Sequence, residues 1–255
     1  MMSEGSLYLA VVPAYNESET IVGVVEALRE YAPRFDTLVV DDGSTDGTDV
    51  LASRAGARVL KLPFNVGIGG AVQTGFVYAR EHGYDFLAQV DGDGQHDSVE
   101  LERLIAAMEE DAVDMVCGSR FLTDDHHYPA PISRRTGIHI FSFLLSRIVG
   151  MRVSDPTSGF RLYNRRAIEL FAGNYPHDYP EVEAVLLLHR HRLRMREIPV
   201  RMYTRGGGVS SIGTGKSAYY MVKVLLALFM GLARPRTGAA VDNGDLAAVS
   251  AGHAI

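Results

Sequence analysis

Cysteine is scarce in this sequence, in which Cys117 is the only one among 255 residues. A single cysteine excludes an internal disulfide. The apolar residues at positions 115–118 predict a buried structural thiol, as fits a reducing cytosol. Long hydrophobic runs are also missing, since the best candidate, residues 218–233, is interrupted by Lys223 and falls short of the about 18 apolar residues of a transmembrane helix. The first five residues lack the basic stretch of a secretory signal, so the sequence predicts a cytoplasmic protein.

An excess of positive charge is absent as well. The formal net charge is -6 and charged residues make up 22% of the chain, which gives no general attraction for nucleic acid. Hydrophobic residues make up 47%, enough for a packed core. The length fits one large α/β domain or two small ones.

Short apolar strands alternate with helices through the first half of the sequence. Strands are predicted at residues 7–12, 37–40, 58–62, 86–90 and 113–117. Helices are predicted to start at Asn16, with Glu19 as the second member of a capping box, at Asp46, after the glycines at 67–70, and at Ser98. This alternation predicts an α/β fold with a Rossmann-like, mostly parallel central sheet and helices on both faces. The second half is less regular, with helices predicted at 138–149, 168–171 and 183–188 and a strand-like segment at 195–202.

Polar clusters follow three of the predicted strands. They occupy residues 13–17, 41–46 and 91–96. Ligands of parallel sheets bind at the carboxyl ends of the strands. The three clusters are therefore predicted to meet in one crevice.

Asp91 and Asp93 stand one residue apart at the end of the fourth strand. Such a pair can reach one hard cation, and Mg²⁺ or Mn²⁺ prefers oxygen ligands and shares them with substrate phosphates. Gln95 could add an amide oxygen and His96 an imidazole. The alternative is an ordinary Asp/Gly turn. An EF-hand does not fit, because its loop needs glycine where this chain has His96.

The second cluster offers both a ligand contact and a structural explanation. Asp42 is predicted to contact a nucleobase or ribose, whereas Asp46 is predicted to cap a helix. Two other motifs are weak. A dinucleotide fingerprint beginning at Gly67 lacks its third glycine, at Val72, and a P-loop ending at Ser217 lacks its first, at Ser210.

Together these segments resemble the family 2 glycosyltransferases of the GT-A fold, from about Leu7 to Arg236. The resemblance rests on the segments VPAYNE (12–17), VDDGSTD (40–46), DGDGQH (91–96), GSR (118–120) and DPTSGF (155–160). Within the family, the Gln-His pair at 95–96 and the DPTSGF segment are similar to those of dolichol-phosphate mannose synthase and bacterial polyprenyl-phosphate sugar transferases. The resemblance implies inverting transfer of a sugar from a UDP- or GDP-sugar to a polyprenyl phosphate.

The resemblance and the cationic side chains of the second half give each site residue an expected role. The nucleotide sugar is expected at Pro13, Tyr15, Glu17, Asp42, Gly70, Asp91 and Arg205. The metal, Mg²⁺ or Mn²⁺, is expected at Asp91, Asp93 and Gln95. Catalytic roles are expected for Asp93, Arg120, Asp155 and Arg161, and acceptor-phosphate binding for Arg134, Arg135 and Arg201, because arginine matches phosphate geometry.

The acceptor determines whether a general base is needed. A lipid phosphate is already anionic near neutral pH, whereas a glycan or glycolipid hydroxyl requires a base, for which Asp155, Glu181 and Glu183 are the candidates. A hydroxyl acceptor would make the chain a transferase of polysaccharide assembly. A further alternative, from another class, is a non-catalytic sugar-nucleotide binding module.

Three segments are expected along the chain. Residues 1–213 form the catalytic domain, with a nucleotide-sugar half at about 1–120 and an acceptor half at about 121–213. A mobile loop is expected at 202–216. Residues 214–236 form an amphipathic helix, and 237–255 a disordered tail. Aromatic and basic residues around 218–233 suit a helix on the cytoplasmic face of a membrane, with 138–149 as a second. The alternative is packing on the core or across a homo-oligomer interface.

Overall fold

The computed structural model describes residues 5–122, 132–176 and 179–203, with the backbone alone at 132–139. The strands are β1 (Tyr8–Ala14), β2 (Phe35–Asp41), β3 (Arg58–Lys61), β4 (Phe86–Gln89), β5 (Met115–Ser119), β6 (Arg161–Asn164) and β7 (Met195–Pro199). The helices are α1 (Ile21–Tyr31), α2 (Thr48–Ala55), α3 (Ile68–Glu81), α4 (Leu101–Asp111), α5 (Ile132–Val149), α6 (Arg165–Gly173) and α7 (Pro180–Arg190). The predicted α/β class is confirmed.

The described strands form one sheet in the order β3-β2-β1-β4-β6-β5-β7. Every pairing is parallel except those of β6, which runs antiparallel to both β4 and β5. The sequence analysis predicted a mostly parallel sheet but did not identify β6. Its four residues begin and end in polar side chains, Arg161 and Asn164, and so lack the apolar run that marks the other strands.

Alternate residues of each strand enter different cores, as the pleat requires. On one face Leu9, Val11 and Leu87 pack against α3, α6 and α7. On the other, Ala10 and Val12 pack against α1 and α4. Cys117 lies in the first core with its side chain buried, as predicted, and burial raises the pKa of its thiol to about 12.

The first helix begins later than predicted. Its N-cap is Thr20, not Asn16. Asn16 adopts a left-handed backbone, with φ 54°. Its N–H donates to Ser44 Oγ at 2.9 Å and its Oδ1 accepts from Thr45 N–H at 3.0 Å. Asn16 is a hydrogen-bonding partner of the second cluster, and this tertiary contact replaces the local cap.

Two other predicted helix starts lie close to the observed ones. Asp46 precedes the N-cap Gly47 of α2 and accepts the N–H of Thr48 at 3.1 Å. Asp97 caps a 3-10 turn at Ser98–Glu100 that leads into α4.

The C-terminal predictions, an amphipathic helix at 214–236 and a tail at 237–255, lie outside the described residues, as does most of the loop at 202–216. Among the helices that the structure describes, none has the length and apolarity to cross a bilayer.

Candidate active site

The three polar clusters meet at one edge of the sheet, as predicted. They follow β1, β2 and β4, which are neighbours with β1 in the middle. Asp42 N–H donates to Ala14 O at 2.8 Å, and Thr20 Oγ1 donates to Gly92 O at 2.7 Å. Because the strands are parallel, their carboxyl ends open on the same side and form a single crevice.

The carboxylate of Asp42 holds a loop at the rim of this crevice. Its two oxygens accept the N–H groups of Val66 at 2.7 Å and Gly67 at 2.9 Å. Gly43, with φ +75°, lies so close that a Cβ there would come 2.9 Å from the carbonyl carbon of Phe64. Asp42 thus shapes the loop that begins α3, and a carboxylate has lone pairs beyond these two.

Most of the other residues expected to bind the nucleotide lie near the ends of β1 and β2. Pro13 is buried in β1, and Tyr15 just beyond it is 48% exposed. Glu17 Oε2 lies 3.2 Å from Thr20 Oγ1. Gly70 lies in the first turn of α3, where a Cβ would come 2.6 Å from a methyl of Val66. Arg205 lies outside the described residues.

Asp91 and Asp93 lie around the buried imidazole of His96. Asp93 is buried, and its oxygens accept Gln95 N–H at 3.0 Å and Gln95 Nε2 at 3.1 Å. His96 Nδ1 accepts the N–H of Asp91 at 3.0 Å, and its Nε2 lies 3.6 Å from Asp91 Oδ2. Burial lowers the pKa of His96 to about 4, so the ring is neutral at pH 7.

The tautomer of His96 follows from these contacts. Since Nδ1 accepts a hydrogen bond, the proton is on Nε2, which faces the Asp91 carboxylate. His96, considered above as a metal ligand, therefore positions Asp91. The feature of the sequence that could have indicated this role for His96 is its place three residues after Asp93, in the same motif.

The residue types of this cluster suit a divalent cation. Within the described ranges no group of three or more His, Cys, Asp or Glu side chains forms a metal site. Asp91 and Asp93 can supply two carboxylate ligands, and a diphosphate and waters would complete the set that Mg²⁺ or Mn²⁺ takes. Gln95 uses its amide nitrogen on Asp93.

The loop of residues 154–160 joins this cluster to the far side of the sheet. At one end, a Cβ on Gly159 would lie 3.0 Å from Asp91 Oδ1, and the Phe160 ring packs 4.7 Å from that of His96. At the other end, Asp155 binds Arg120. The loop is therefore the physical link between Asp91 and Arg120.

Arg120 and Asp155 form a buried, two-point ion pair. Arg120 Nε lies 2.7 Å from Asp155 Oδ2, and Nη2 lies 2.8 Å from Oδ1. Asp155 also accepts the Arg120 N–H at 3.2 Å, and Nη2 donates to Thr157 Oγ1 at 2.9 Å. Both side chains are almost fully buried. This arrangement fixes the plane of the guanidinium and commits the Asp155 carboxylate to it.

Arg161 lies beneath the same loop, with 1% of its surface exposed. Its Nε donates to Ser158 O and its Nη2 to Glu181 O, both at 2.8 Å. These contacts tie the loop to the start of α7. The structure therefore places the Arg161 guanidinium against backbone carbonyls of the loop and of α7.

The remaining candidates lie on three segments. Arg201 is exposed just after β7, where Tyr203 N–H donates to Gln95 O at 2.8 Å, so this segment runs beside the Asp91–His96 turn. Arg134 and Arg135 lie on α5, where only the backbone is described. Glu181 is at the start of α7, and burial raises the pKa of its carboxyl.

The sequence analysis did not single out Glu197. It lies in β7, and its carboxylate accepts three hydrogen bonds from Ser154 and Asp155. The available signal was a charged residue between the apolar Met195 and Ile198 in a strand, because a half-buried carboxylate needs partners.

Comparisons with known proteins agree with this geometry. A family model described as glycosyl transferase family 2 matches residues 9–171. An undecaprenyl-phosphate mannosyltransferase of Micrococcus luteus is 33% identical over 90% of this chain and 98% of its own length. A UDP-N-acetylglucosamine–dolichyl-phosphate N-acetylglucosaminyltransferase of Methanococcus voltae is 27% identical over 90% of this chain and 97% of its own.

A solved structure has the same fold. Glucosyl-3-phosphoglycerate synthase from Mycobacterium tuberculosis, in complex with Mn²⁺, UDP-glucose and phosphoglyceric acid, superposes with a TM-score of 0.66 at 19% identity. The superposition covers 92% of this chain and 82% of that one.

Proposed function

Because this chain belongs to glycosyl transferase family 2, we propose that it transfers a sugar, with inversion, from a nucleotide diphosphate sugar to a polyprenyl phosphate. One observation carries this proposal. The Asp91/Asp93 pair and the buried Arg120 lie at the two ends of one short loop, so a carboxylate site for a donor diphosphate stands beside a fixed cation for an acceptor phosphate.

The donor would occupy the crevice over β1, β2 and β4, called here the nucleotide side. Tyr15, Glu17 and Asp42 line it together with the start of α3. Asp91 and Asp93 would hold Mg²⁺ or Mn²⁺, which would neutralise the charge that develops on the departing diphosphate. Arg205 would close over the donor from the segment beyond the described residues.

The acceptor would approach from β5, β6 and β7, called here the acceptor side. Arg120, held by Asp155 in a fixed plane, would bind the phosphate group through its guanidinium. Arg134, Arg135 and Arg201 would add positive charge around the same phosphate. Because the phosphate oxygen is already anionic, its attack on the anomeric carbon needs no base, and Asp155 remains the partner of Arg120.

Glu181 favours a second candidate, transfer to a glycan or glycolipid hydroxyl. Its carboxyl is half-buried, with Asp91 and Arg120 among its electrostatic neighbours, and burial raises its pKa, which suits a general base. Replacement of Glu181 by Gln separates the two. Transfer to a hydroxyl acceptor would be lost, whereas transfer to a lipid phosphate would continue.

A lipid acceptor places the enzyme at the cytoplasmic face of a membrane. On α5, Ile140 and Phe143 are 44% and 64% exposed, and Arg147 lies 5.9 Å from the Phe143 ring centre. With residues 214–236, this surface would contact the lipid, or a second copy in a homo-oligomer. Flotation with anionic liposomes tests the contact, and protein that stays entirely in the soluble fraction contradicts it.

A donor and acceptor screen tests the main proposal. UDP- and GDP-sugars are combined with undecaprenyl or dolichyl phosphate, with and without chelator, and the lipid product is measured. Metal-dependent product from the lipid phosphate alone is the expected result. Donor binding without transfer to any acceptor would instead indicate a sugar-nucleotide binding module.

A further inference from the structure

Glu197 lies at the root of a hydrogen-bond network that ends on Arg120. It is part of β7, where its Cα pairs in register with Cys117 of β5. Its Oε1 accepts the N–H of Asp155 at 3.0 Å, and its Oε2 accepts both the N–H and the Oγ of Ser154 at 2.7 Å. Three donors on one carboxylate fix the start of the 154–160 loop relative to the sheet.

The first branch of this network reaches the side chain of Arg120. Glu197 holds the backbone of Asp155, and the carboxylate of Asp155 holds the guanidinium through two contacts at 2.7 and 2.8 Å. The plane of the guanidinium therefore depends on where Glu197 places the Asp155 backbone.

The second branch reaches the backbone on both sides of Arg120. Ser154 gives its one hydroxyl proton to Glu197, so in the 2.6 Å contact with Ser119 the donor is Ser119. Ser119 Oγ in turn accepts the N–H of Phe121 at 3.2 Å. Residues 119 and 121, which flank Arg120, are thus ordered by the same carboxylate.

Taking the two branches together, we infer that Glu197 is a positioning residue that orients Arg120 toward the acceptor phosphate. The inference rests on the proposed function. It assigns to a residue outside the acidic motifs an effect on the acceptor, because the hydrogen bonds of the network converge on Arg120 and its two neighbours, whereas the contact of the loop with Asp91 is made four residues beyond Asp155, at Gly159. A positioned cation is effective only within a narrow geometry, and displacement by about 1 Å can cost on the order of a hundredfold in rate.

The test compares E197Q with a matched control, D114N. Asp114 is also a buried carboxylate that accepts three hydrogen bonds, from Asn164, Arg166 and Arg194, but it lies at the amino end of β5, opposite the crevice. In E197Q one accepting oxygen becomes an amide NH₂ that faces a donor. We expect kcat/KM for polyprenyl phosphate to fall about 10- to 100-fold while the Kd for the nucleotide sugar stays at its wild-type value. D114N is expected to lower Tm without this split.

A double-variant cycle shows whether the effect passes through Arg120. In an R120A background, E197Q is expected to cause no further loss of kcat/KM, whereas its effect on Tm persists. If E197Q folds too poorly, S154A removes the second branch alone and is expected to show the same split at smaller size. Equal loss in both backgrounds, or a loss of donor affinity in step with acceptor kinetics, would overturn the inference. Absence of transfer by the wild-type protein would overturn the proposed function, and the inference with it.

Discussion

On the nucleotide side, carboxylates bind backbone amides: Asp42 accepts from Val66 and Gly67, and Asp93 accepts from Gln95. On the acceptor side, the principal carboxylate, Asp155, binds a charged side chain, Arg120. The difference has a physical consequence. A carboxylate that accepts from backbone amides shapes a loop that stays partly open to water. In a buried ion pair, each charge has lost its water and depends on the other for stabilisation, so removing one partner leaves the other uncompensated.

The largest expected effect comes from the centre of the site. D93A removes a carboxylate that is expected to hold the metal and that accepts two hydrogen bonds from Gln95. We expect kcat for sugar transfer to fall by at least about a hundredfold, with Tm changed little, as measured by a lipid-product assay and thermal unfolding. D97A serves as the control, since Asp97 is an acidic residue of the same turn but caps Ser98–Glu100. Full activity of D93A contradicts the proposed metal role.

The second largest effect is expected from the Arg120–Asp155 ion pair of the acceptor side. D155N keeps the shape of the side chain but leaves Arg120 buried without a counter-charge. We expect a loss of about 3 to 5 kcal/mol in the free energy of unfolding, measured by denaturant titration, and a fall in kcat/KM for the acceptor. A loss below about 1 kcal/mol would show that the pair is not desolvated as the structure indicates.

The contact of Gly159 with Asp91 connects the two sides, and it can be tested by adding a single methyl group at Gly159. In G159A the new Cβ would lie 3.0 Å from Asp91 Oδ1 and 3.2 Å from Oδ2, so the carboxylate must shift. We expect kcat to fall about tenfold with the KM for the nucleotide sugar raised. G23A is the matched control, because its Cβ would meet no atom within 4 Å other than its chain neighbours and the backbone of its own helix. Equal activity of the two variants would separate the loop from the metal site.

The smallest expected effect is on the nucleotide side. D42N replaces one accepting oxygen with an NH₂ group that faces the N–H of Val66 or Gly67. We expect the free energy of unfolding to fall by about 1 to 3 kcal/mol, less than in D155N. We also expect weaker binding of the nucleotide sugar, with kcat/KM for the acceptor reduced only in proportion to that loss of affinity. Titration calorimetry with the sugar nucleotide alone measures this Kd. A stability loss equal to that of D155N would erase the comparison between the sides.

Much of the nucleotide side could be predicted from the sequence because its signals are local. Each of its strands is a short apolar run, and each polar cluster follows its strand directly in the chain. Parallel pairing then requires the clusters to meet. The start of α1 was predicted wrongly at Asn16, because the side chain of Asn16 finds its partner 29 residues away at Thr45, which no local pattern indicates.

The acceptor side could not be predicted in the same way. Arg161 directly follows the 155–160 motif and was expected to have a catalytic role, whereas the antiparallel course of β6 carries it under the loop, where it donates to backbone carbonyls. Asp155 finds Arg120 across 35 residues, and Glu197 finds the Asp155 backbone across 42. Motif position indicated Arg120 and Asp155 but not that they pair with each other, and it gave no indication of Glu197.

The sequence by itself determined the family, through the resemblance of its motifs. It also determined the strands of the first half and the convergence of the acidic clusters, since these follow from hydrophobic periodicity and the polarity of a parallel sheet. The tertiary structure alone decided which carboxylates face the crevice and which are used inside the protein. That choice depends on pairs distant along the chain, brought together by the insertion of β6 between β4 and β5. Burial of a charge is tolerated only where such a partner arrives.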